Sequence, residues 1–227
     1  MPQWHAKRTG EYARDSVEAM ENGEMFLGYM MFRGFTKEAC SAIWGNIGHE
    51  SVYNPWRWEG DRVLPYGSPL IPSSRTNGYG LPQFTPSGKY LLSSHAQANA
   101  DYAPNYSDRA GQPEDAVAQL DFLIWSCTPG SGFPGGPDYF INPNYNYPLT
   151  FAEFTASTLS PEYLAAAWLH NYERPGDQSA SVERVRGATA RYWYDLWGGI
   201  VPPVPTSESK YKFWLYGRNW TRRQRRF

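Results

Sequence analysis

The chain has 227 residues, of which 41% are hydrophobic and 19% charged, and its formal net charge is −1. This length fits one domain of ordinary size with room for a tail, and the composition excludes disorder along the whole chain. No apolar run reaches the length of a membrane span and no basic-then-apolar leader opens the chain, so we expect neither a membrane-spanning segment nor export through such a leader.

The first part of the chain predicts a polar arm followed by two helices. Residues 1–15 are polar, and we expect them to form an N-terminal arm. The apolar spacing from Val17 to Phe32 predicts a helix, and Gly34 marks its end. Thr36 is a suitable N-cap for a second helix, in which apolar residues recur at every fourth position towards Glu50.

Two glycines, Gly45 and Gly48, lie within this second predicted helix and are unfavourable in an isolated helix. Glycine is favoured where another backbone approaches closely. We therefore expect another helix to pack against this stretch and stabilise it. Glu50 would then lie at the C-terminal end of a buried helix.

The middle of the chain predicts a lobe of loops or short strands. Residues 52–90 are rich in Gly, Pro, Asn, Ser and aromatic residues, which is typical of loops and short hairpins. Within them we interpret residues 59–77 as an insertion. Pro113 is a favourable first helical residue, and the apolar spacing after it predicts a helix to about Ser126, followed by a loop over residues 128–148.

Three further helices are predicted in the C-terminal half. The Thr150–Glu153 spacing is that of a capping box, and Ser160 precedes a proline at the first position of the next helix. A longer helix is predicted from about Ser181 to Trp197. We therefore expect a mostly α domain over residues 16–200, with a small β or loop lobe.

The last part of the chain, residues 201–227, predicts a proline-rich linker and an extended tail. From Thr206 onward there are seven basic residues and one acidic residue, so the tail is opposite in charge to the body. Such a tail suits attachment to an acidic protein or wall surface, and a solvated chain end is the alternative. Nothing else in the sequence indicates binding to nucleic acid.

Two cysteines and four histidines provide no framework for disulfides or for a metal. Cys40 is predicted to lie on an apolar helix face, and we expect it and Cys127 to be free buried thiols, with a disulfide as the alternative. His49 and Glu50 lack the second histidine of a zinc-binding His-Glu-x-x-His motif. We therefore expect no metal.

Glu50 is the strongest candidate for chemistry in this sequence. It ends the second predicted helix and is followed by a Gly-rich turn with an amide and aromatic side chains. Cleavage of a glycosidic bond needs a carboxylic acid that is protonated at neutral pH, and burial at the negative end of a helix dipole favours that form. A solvated surface glutamate is the alternative.

Three motifs follow one another in the sequence: Gly45-Asn46-x-x-x-Glu50-Ser51, Asn54-Pro55 and Tyr79-Gly80-Leu81-x-Gln83-Phe84. In this order they resemble the phage tail lysozyme family, which has the lysozyme-like fold of soluble lytic transglycosylases. A Tyr-Glu-Arg-Pro segment beginning at Tyr172, which tail lysozymes carry in this place, extends the resemblance to roughly residues 15–198. The resemblance implies a mostly α, α+β lysozyme-like fold with a small β or loop lobe.

The resemblance also implies roles for individual residues. Glu50 would be the general acid, and Tyr172 would face it and support proton transfer. The turn from Tyr79 to Phe84 would line the opposite side of a cleft, with Gly80 allowing close approach of the substrate. The residues implied to bind substrate are Ser51, Tyr79, Gly80, Leu81, Gln83, Phe84 and Asn171.

Some roles stay open at the level of the sequence. A plain β-turn is the alternative for the Gly80 region, and a structural ion pair is the alternative for Glu173 and Arg174. Many glycosidases use two carboxyl groups, whereas lytic transglycosylases use one glutamate, so hydrolysis and transglycosylation both remain open. Candidates for a second carboxyl group, none of them assigned this role by a motif, are Glu59, Asp61, Glu173 and Asp101.

By this resemblance the substrate is bacterial peptidoglycan, cleaved at the β-1,4 bond between N-acetylmuramic acid and N-acetylglucosamine without a cofactor. The chain would belong to a phage tail and act at the bacterial cell wall during genome entry, and its tail would contact other virion proteins. The alternatives are a free endolysin with the same chemistry and a non-catalytic tail or wall-binding protein that keeps the fold.

Overall fold

Helices make up most of the described chain, which comprises residues 4–7, 10–61, 77–91, 93–98 and 113–199 of a computed structural model. The helices are α1 (Val17–Phe32), α2 (Lys37–Glu50), α3 (Gly88–Leu91), α4 (Ser94–Ala98), α5 (Pro113–Cys127), α6 (Phe151–Thr155), α7 (Pro161–Trp168) and α8 (Ala180–Leu196). Leu169–Glu173 forms a π-helical turn that continues α7, and 3₁₀ turns lie at Glu59–Asp61 and Trp197–Gly199. The predicted mostly α fold is confirmed.

Several of the sequence predictions fall on residues that the structure does not describe. They concern most of the predicted insertion (residues 62–76), the candidate carboxylate Asp101, and the linker and tail over residues 201–227. These predictions lie outside the described residues and stay predictions.

Side-chain caps fix where the helices begin. Ser16 and Thr36 each accept a hydrogen bond at 3.2 Å from the backbone N–H group three residues further on. Thr150–Glu153 forms a complete capping box at α6, and Ser160 caps α7. The caps predicted at Thr36, Thr150 and Ser160 are confirmed, and each satisfies an amide that the helix itself leaves unpaired.

Helices α2 and α8 approach each other so closely that only glycine fits at their contact. A Cβ atom added to Gly45 would lie 2.7 Å from the backbone nitrogen of Ala190 in α8 and 2.8 Å from its Cα atom. The predicted packing of another helix is therefore confirmed at Gly45. At Gly48 the close neighbour is the hydroxyl of Tyr53, in the turn after α2, and not a helix backbone.

Aromatic side chains fill the core around α2. Trp44 stacks on Phe26 of α1 with 4.7 Å between ring centroids, and Trp193 of α8 contacts it edge-on at 6.1 Å. Trp193 donates its indole N–H to the hydroxyl of Tyr53 at 2.9 Å, which satisfies a buried donor. Because all four side chains are buried, they stabilise the helix assembly and offer no surface to a sugar ring.

The N-terminal segment differs from the predicted polar arm, because its described parts pack against the body. Trp4 is buried. Asn22 of α1 exchanges two hydrogen bonds with the backbone of His5, at 2.6 and 2.9 Å, and Asn54 donates to the carbonyl of Lys7 at 2.8 Å. The composition of the segment could not reveal this docking, since the two amides that hold it lie elsewhere in the chain.

The small lobe contains two isolated antiparallel bridges, Trp58 with Tyr79 and Tyr79 with Phe84, and no longer strand within the residues described. Phe84 packs on Tyr90 of α3 and on Phe122 of α5, with 5.1 Å between ring centroids in both cases. Aromatic contacts with α5 therefore join the lobe to the helical part of the molecule.

Cys40 and Cys127 are buried free thiols, as predicted. Burial raises the pKa of both thiols above the usual value, so neither has the character of a nucleophile. In the part of the chain that the structure describes, no helix is long and apolar enough to cross a membrane.

Candidate active site

Glu50 is the last residue of α2, and its carboxylate is paired with Arg186 of α8. The Nη2 atom of Arg186 lies 2.5 Å from Oε1 of Glu50, and 20% of the glutamate side chain is exposed. The Nη1 atom of Arg186 donates to the side-chain oxygen of Asn46 at 3.0 Å. This arrangement fixes the orientation of the carboxylate while leaving part of it open to solvent.

Asn46, one helical turn before Glu50, holds the arginine in place. Its amide donates to the carbonyl oxygens of Ala42, at 2.9 Å, and of Ala165 in α7, at 3.1 Å, while its own oxygen accepts from Arg186. This fully buried side chain therefore joins α2, α7 and α8. Its position in the Gly-Asn-x-x-x-Glu motif has a structural reason, since it orients the cation that binds Glu50.

A second carboxyl group comes from the π-helical turn after α7. The backbone N–H of Arg174 donates to the carbonyl of Leu169 at 2.8 Å and closes the turn, with Arg174 itself in the left-handed region (φ 48°, ψ 50°). In a π-helix, residues five apart lie on one face, and Trp168 accordingly donates its indole N–H to Oε1 of Glu173 at 3.0 Å. Turns of this kind are frequent at functional sites.

The surroundings of Glu173 favour its protonated form. Burial is the main cause, and the negative charge of Glu50 adds to it, whereas Arg186, the hydrogen bond from Trp168 and Lys89 act in the opposite direction. Together they raise the pKa of Glu173 to about 8. The site therefore combines a carboxyl group whose protonated form is favoured by burial with a second one that is paired with an arginine.

Charged groups near the small lobe complete this site. Lys89 of α3 forms an ion pair with Asp138 at 3.1 Å, and both side chains are mostly buried. The positive charge of Lys89 is close enough to Glu173 to lower the pKa of its carboxyl group. We call Glu50, Glu173, Arg186, Lys89 and Asp138 the charged cluster.

Tyr172, which the resemblance pairs with Glu50, lies beside the second carboxyl group. Its ring stacks on Trp168 with 4.3 Å between centroids and is buried. Burial raises the pKa of its hydroxyl well above the usual value, and Cys127 and Glu173 raise it further. Tyr172 is therefore a neutral side chain in the wall of the charged cluster.

Asn171, implied to bind substrate, is fully buried. Its amide donates to the hydroxyl of Tyr139, at 3.2 Å, and to the carbonyl of Tyr147, at 2.9 Å, and its oxygen accepts from the N–H of Asn142 at 3.0 Å. These bonds tie the π-helical turn to the loop before α6. The side chain thus has a structural role in this conformation and no surface for a ligand.

Arg174 also holds this loop. Its guanidinium donates to the carbonyl oxygens of Asp138, at 2.8 Å, and of Asn171, at 2.6 Å. The ion pair between Arg174 and Glu173, which was the alternative at the level of the sequence, is not formed. Arg174 donates to backbone oxygens instead, and Glu173 accepts a hydrogen bond from Trp168.

The turn from Tyr79 to Phe84 is held by α5. Gly80 has φ +81°, and an added Cβ atom would lie 2.8 Å from the side-chain Cδ of Gln119. The amide of Gln119 accepts from the N–H of Leu81 at 2.7 Å and donates to the carbonyl of Pro55 at 2.9 Å. The close approach that requires glycine is therefore made by a protein side chain, which favours the plain-turn alternative.

Gln83 is the member of the implied substrate-binding set that keeps exposed surface. It is half-buried, and its amide donates to the carbonyl oxygens of Arg57 and Gly80, at 3.1 and 2.9 Å. The other side chains of the turn and its neighbourhood point inward; the buried ones are Ser51, Tyr79, Leu81 and Phe84.

The remaining candidates for a second carboxyl group do not compete with Glu173. Glu59 accepts a hydrogen bond from the N–H of Gly78 at 2.8 Å and so closes its own loop. The side chain of Asp61, like Asp101, lies outside the described residues. Among the residues described, no group of three or more His, Cys, Asp or Glu side chains could hold a metal ion.

A depression of about 550 Å³ adjoins the C-terminal turn of α2. Its lining includes residues 11–15 of the docked N-terminal segment, His49 and Thr189. The Nε2 atom of His49 lies 2.9 Å from the Thr189 hydroxyl, and burial, followed by the charge of Arg186, lowers the pKa of His49. A concave surface therefore reaches the residue that precedes Glu50.

Sequence reasoning missed Arg186, although the sequence carries a signal for it. Arg186 lies on the face of α8 that also buries Ala190 and Trp193. Arginine is rarely buried without a partner, so an arginine at a core position of an amphipathic helix indicates a buried acidic or amide partner. Lys89, in the short helix α3, has no comparable signal.

Comparison with known proteins supports the resemblance drawn from the motifs. A family model described as phage tail lysozyme matches residues 21–197. The chain is also 32% identical over 188 residues to Morphogenesis protein 1 of Bacillus phage B103, a match that covers 81% of this chain and 42% of that protein. This chain thus spans less than half the length of that relative. The family match includes α2, the π-helical turn and α8, and the chain belongs to the phage tail lysozyme family.

Proposed function

We propose that this chain cleaves the β-1,4 bond between N-acetylmuramic acid and N-acetylglucosamine in bacterial peptidoglycan, with Glu50 as an indispensable carboxyl group. The observation that carries the proposal is the position of Glu50 at the partly exposed end of α2, beside a second carboxyl group and a buried cation. The sequence pattern assigns Glu50 the role of general acid. Many glycosidases use two carboxyl groups, and the charged cluster holds a second one, Glu173, whose pKa is raised by burial.

The test of this proposal is the digestion of purified peptidoglycan by three forms of the chain. Glu50→Gln should reduce the release of muropeptides by at least ~100-fold, the lower end for loss of acid–base catalysis. Glu162→Gln is the matched control, because Glu162 is also paired with an arginine, Arg191, but lies on the outer part of α7. It should cleave like the unchanged chain.

The masses of the products then identify the reaction. Muropeptides with reducing ends mean hydrolysis, and 1,6-anhydro ends mean capture of the reacting centre by the sugar's own 6-hydroxyl. If the unchanged chain binds peptidoglycan but releases no fragment, the proposal is wrong and the non-catalytic alternative holds. A folded Glu50→Gln variant with near-normal activity would remove Glu50 from the reaction.

We further propose that the chain acts as part of a virion and opens the cell wall during genome entry. Membership of the tail lysozyme family and a relative named as a morphogenesis protein support this role over that of a free endolysin. Mass spectrometry of purified particles should find the chain in fixed proportion to other tail proteins. Its absence from particles and presence in the lysate would favour the endolysin.

The basic segment after Thr206 is proposed as the contact with acidic tail proteins or with the wall. Raising the salt concentration from ~0.05 to ~0.5 M should release the chain from particles, since it shortens the reach of charge interactions to under ~5 Å. Ending the chain after Val204 should have the same effect while activity on soluble wall fragments persists. Loss of activity on those fragments would show that the segment supports the catalytic domain.

A further inference from the structure

The backbone that follows Glu50 is held in an unusual conformation. Val52 and Tyr53 both lie in the left-handed region, with φ of 49° and 62°. Residues other than glycine rarely adopt this region, and for a β-branched residue such as Val52 it is a strained conformation. Strain of this kind persists only where neighbouring groups hold the backbone, and it is concentrated at active sites. The groups that hold this turn therefore bear on Glu50.

Two carbonyl groups of the turn are bound from the N-terminal part of the chain. The carbonyl of Val52 accepts a hydrogen bond from the backbone N–H of Tyr12 at 3.3 Å. The carbonyl of Tyr53 accepts from the amide of Asn22 in α1 at 2.9 Å, and the same amide donates to the carbonyl of His5. Asn22 therefore binds the turn and the N-terminal segment at once.

Asn54, directly after the turn, makes the second attachment. Its amide donates to the carbonyl oxygens of Lys7 and Gly10, at 2.8 and 3.1 Å, and its oxygen accepts from the N–H of Lys7 at 3.2 Å. Both amide hydrogens of this fully buried side chain are thus used to bind the N-terminal segment. We call residues 4–7 and 10–15 the docked segment.

Side chains fasten the docked segment along its length. Trp4 is buried in the core. Glu11 forms an ion pair with Arg57 at 2.9 Å. The guanidinium of Arg14 lies 4.1 Å from the ring centroid of Tyr192, which places the end of the segment against α8. The segment is therefore attached on both sides of the backbone contact that it makes with the turn.

We infer that the docked segment is a positioning element of the active site, an inference that rests on the function proposed above. It holds the strained turn and so fixes the last turn of α2, which carries Glu50. Ser51 donates its N–H to the carbonyl of Ile47 at 2.9 Å, so a relaxation of the turn is passed on to the helix end. Arg186 fixes the carboxylate from α8, and the docked segment fixes the backbone behind it. This role belongs to residues outside the family match, which begins at residue 21.

The first test measures kcat and KM on soluble peptidoglycan fragments. Trp4→Ala loosens the docked segment and leaves the sequence of the turn and of α2 unchanged. Its kcat should fall by ~10-fold, because a small displacement of a reacting group is costly, while KM stays within ~2-fold. Trp4→Phe keeps a large apolar side chain and should retain most of kcat.

Phe35→Ala is the matched control. Phe35 has the same exposed fraction as Trp4, 6%, but it precedes α2 at the end opposite Glu50. This variant should lose stability and keep its kcat per folded molecule. A rise in KM with unchanged kcat in Trp4→Ala would overturn the inference, because it would mean that the segment binds substrate in the depression that it lines. So would normal kinetics of folded Trp4→Ala when Glu50→Gln is inactive.

A double variant tests the link through the strained turn. Asparagine adopts the left-handed region more readily than valine, so Val52→Asn makes the turn less dependent on the docked segment. In a chain with Val52→Asn, the loss of kcat caused by Trp4→Ala should therefore shrink at least ~3-fold. Losses that simply multiply would contradict the proposed coupling.

Amide hydrogen exchange of the unchanged chain needs neither activity nor mutation. The amides of Tyr12, Ser51 and Asn54 should have protection within ~10-fold of one another, since the docked segment and the turn open together. Much faster exchange at Tyr12 would show that the segment leaves while the turn stays, and the inference would be wrong even if peptidoglycan is cleaved. If the three amides agree but no form of the chain cleaves peptidoglycan, the proposed function has failed and the coupling of segment and turn stands.

Discussion

The turn from Tyr79 to Phe84 and the carboxyl pair at the end of α2 both belong to motifs of the same family, but their residues are used differently. In the turn, Tyr79, Leu81 and Phe84 are buried, and backbone groups bind to Gln119 of α5. In the carboxyl pair, Glu50 at the end of α2 and Glu173 in the π-helical turn remain partly exposed, and burial raises the pKa of Glu173. The family motifs therefore contain buried residues that hold the structure as well as partly exposed carboxyl groups, and burial together with hydrogen-bond partners distinguishes the two kinds.

The largest effect on stability is expected in the turn. Gly80→Ala forces a side chain into a left-handed backbone and against Gln119, which should lower the free energy of unfolding by about 2–5 kcal/mol. Gly132→Ala is the matched control, since Gly132 has φ +84° but no atom within 4 Å of an added Cβ. Gly132→Ala should lower the free energy of unfolding only by the cost of the left-handed backbone, about 1–2 kcal/mol. Equal losses in urea titrations would contradict the packing role of Gln119.

A smaller loss of stability, accompanied by a loss of activity, is expected at the carboxyl pair. Arg186→Gln removes the partner of Glu50 and weakens the contact with the buried Asn46, which should lower the free energy of unfolding by about 1–3 kcal/mol. Cleavage per folded molecule should also fall, because Glu50 loses its fixed orientation. A variant that loses stability but cleaves normally would place Arg186 with the structural residues of the turn.

Arg174→Ala, at the end of the π-helical turn, should lower the stability of the fold without changing turnover. This change removes two hydrogen bonds to carbonyl oxygens, of Asp138 and Asn171, and should lower the free energy of unfolding by about 1–2 kcal/mol. Since the guanidinium does not contact either carboxyl group, turnover measured below the melting temperature should change little. A large drop in turnover with an unchanged melting temperature would contradict this assignment.

The pH dependence of stability tests the same region without a mutation. The pKa of Glu173 is raised in the folded chain, so its protonation stabilises the fold at low pH, and that contribution is lost as pH rises from about 4.5 to about 8. One such group contributes a slope of at most about 1.4 kcal/mol per pH unit. Denaturant titrations at several pH values should show this slope in the unchanged chain and not in Glu173→Gln.

The smallest effect is expected from the hydroxyl of Tyr172. Tyr172→Phe keeps the stack on Trp168 and should leave the melting temperature unchanged. Turnover should fall only several-fold, as we expect of a neutral group that lines the cluster and that the family resemblance links to proton transfer. Tyr163→Phe, a half-buried tyrosine of α7, is the control and should change neither quantity. A lower melting temperature with normal turnover would make Tyr172 purely structural.

The sequence predicts the helices well because their signals are local. Thr36 and Ser160 each cap a helix by accepting a hydrogen bond from the residue three positions further on. Gly45 indicates a close backbone contact because glycine is otherwise unfavourable within a helix. The carboxyl pair is different. Glu50 and Arg186 are 136 positions apart, and their contact depends on how α2 crosses α8, which no local pattern contains.

The position of Glu173 in the site could not be predicted from the sequence for a related reason. A periodicity of 3.6 residues places Trp168 and Glu173 on different faces, and only the π-helical turn brings them together. The sequence could name Glu173 among four candidates for a second carboxyl group but had no means of choosing it. Burial around its carboxyl group, which raises the pKa, is likewise a product of packing.

The contact between Gly45 and Ala190 has a consequence for anyone who transfers this lysozyme-family domain into another protein. A fragment that ends after the Tyr-Glu-Arg-Pro segment would contain every recognisable motif and still lack α8. The side-chain oxygen of Asn46 would then lose its donor, Arg186, and Glu50 would lose the same cation, while Gly45 in α2 would face solvent. The smallest portable unit therefore extends to the 3₁₀ turn at Trp197–Gly199, beyond the last residue that any motif identifies.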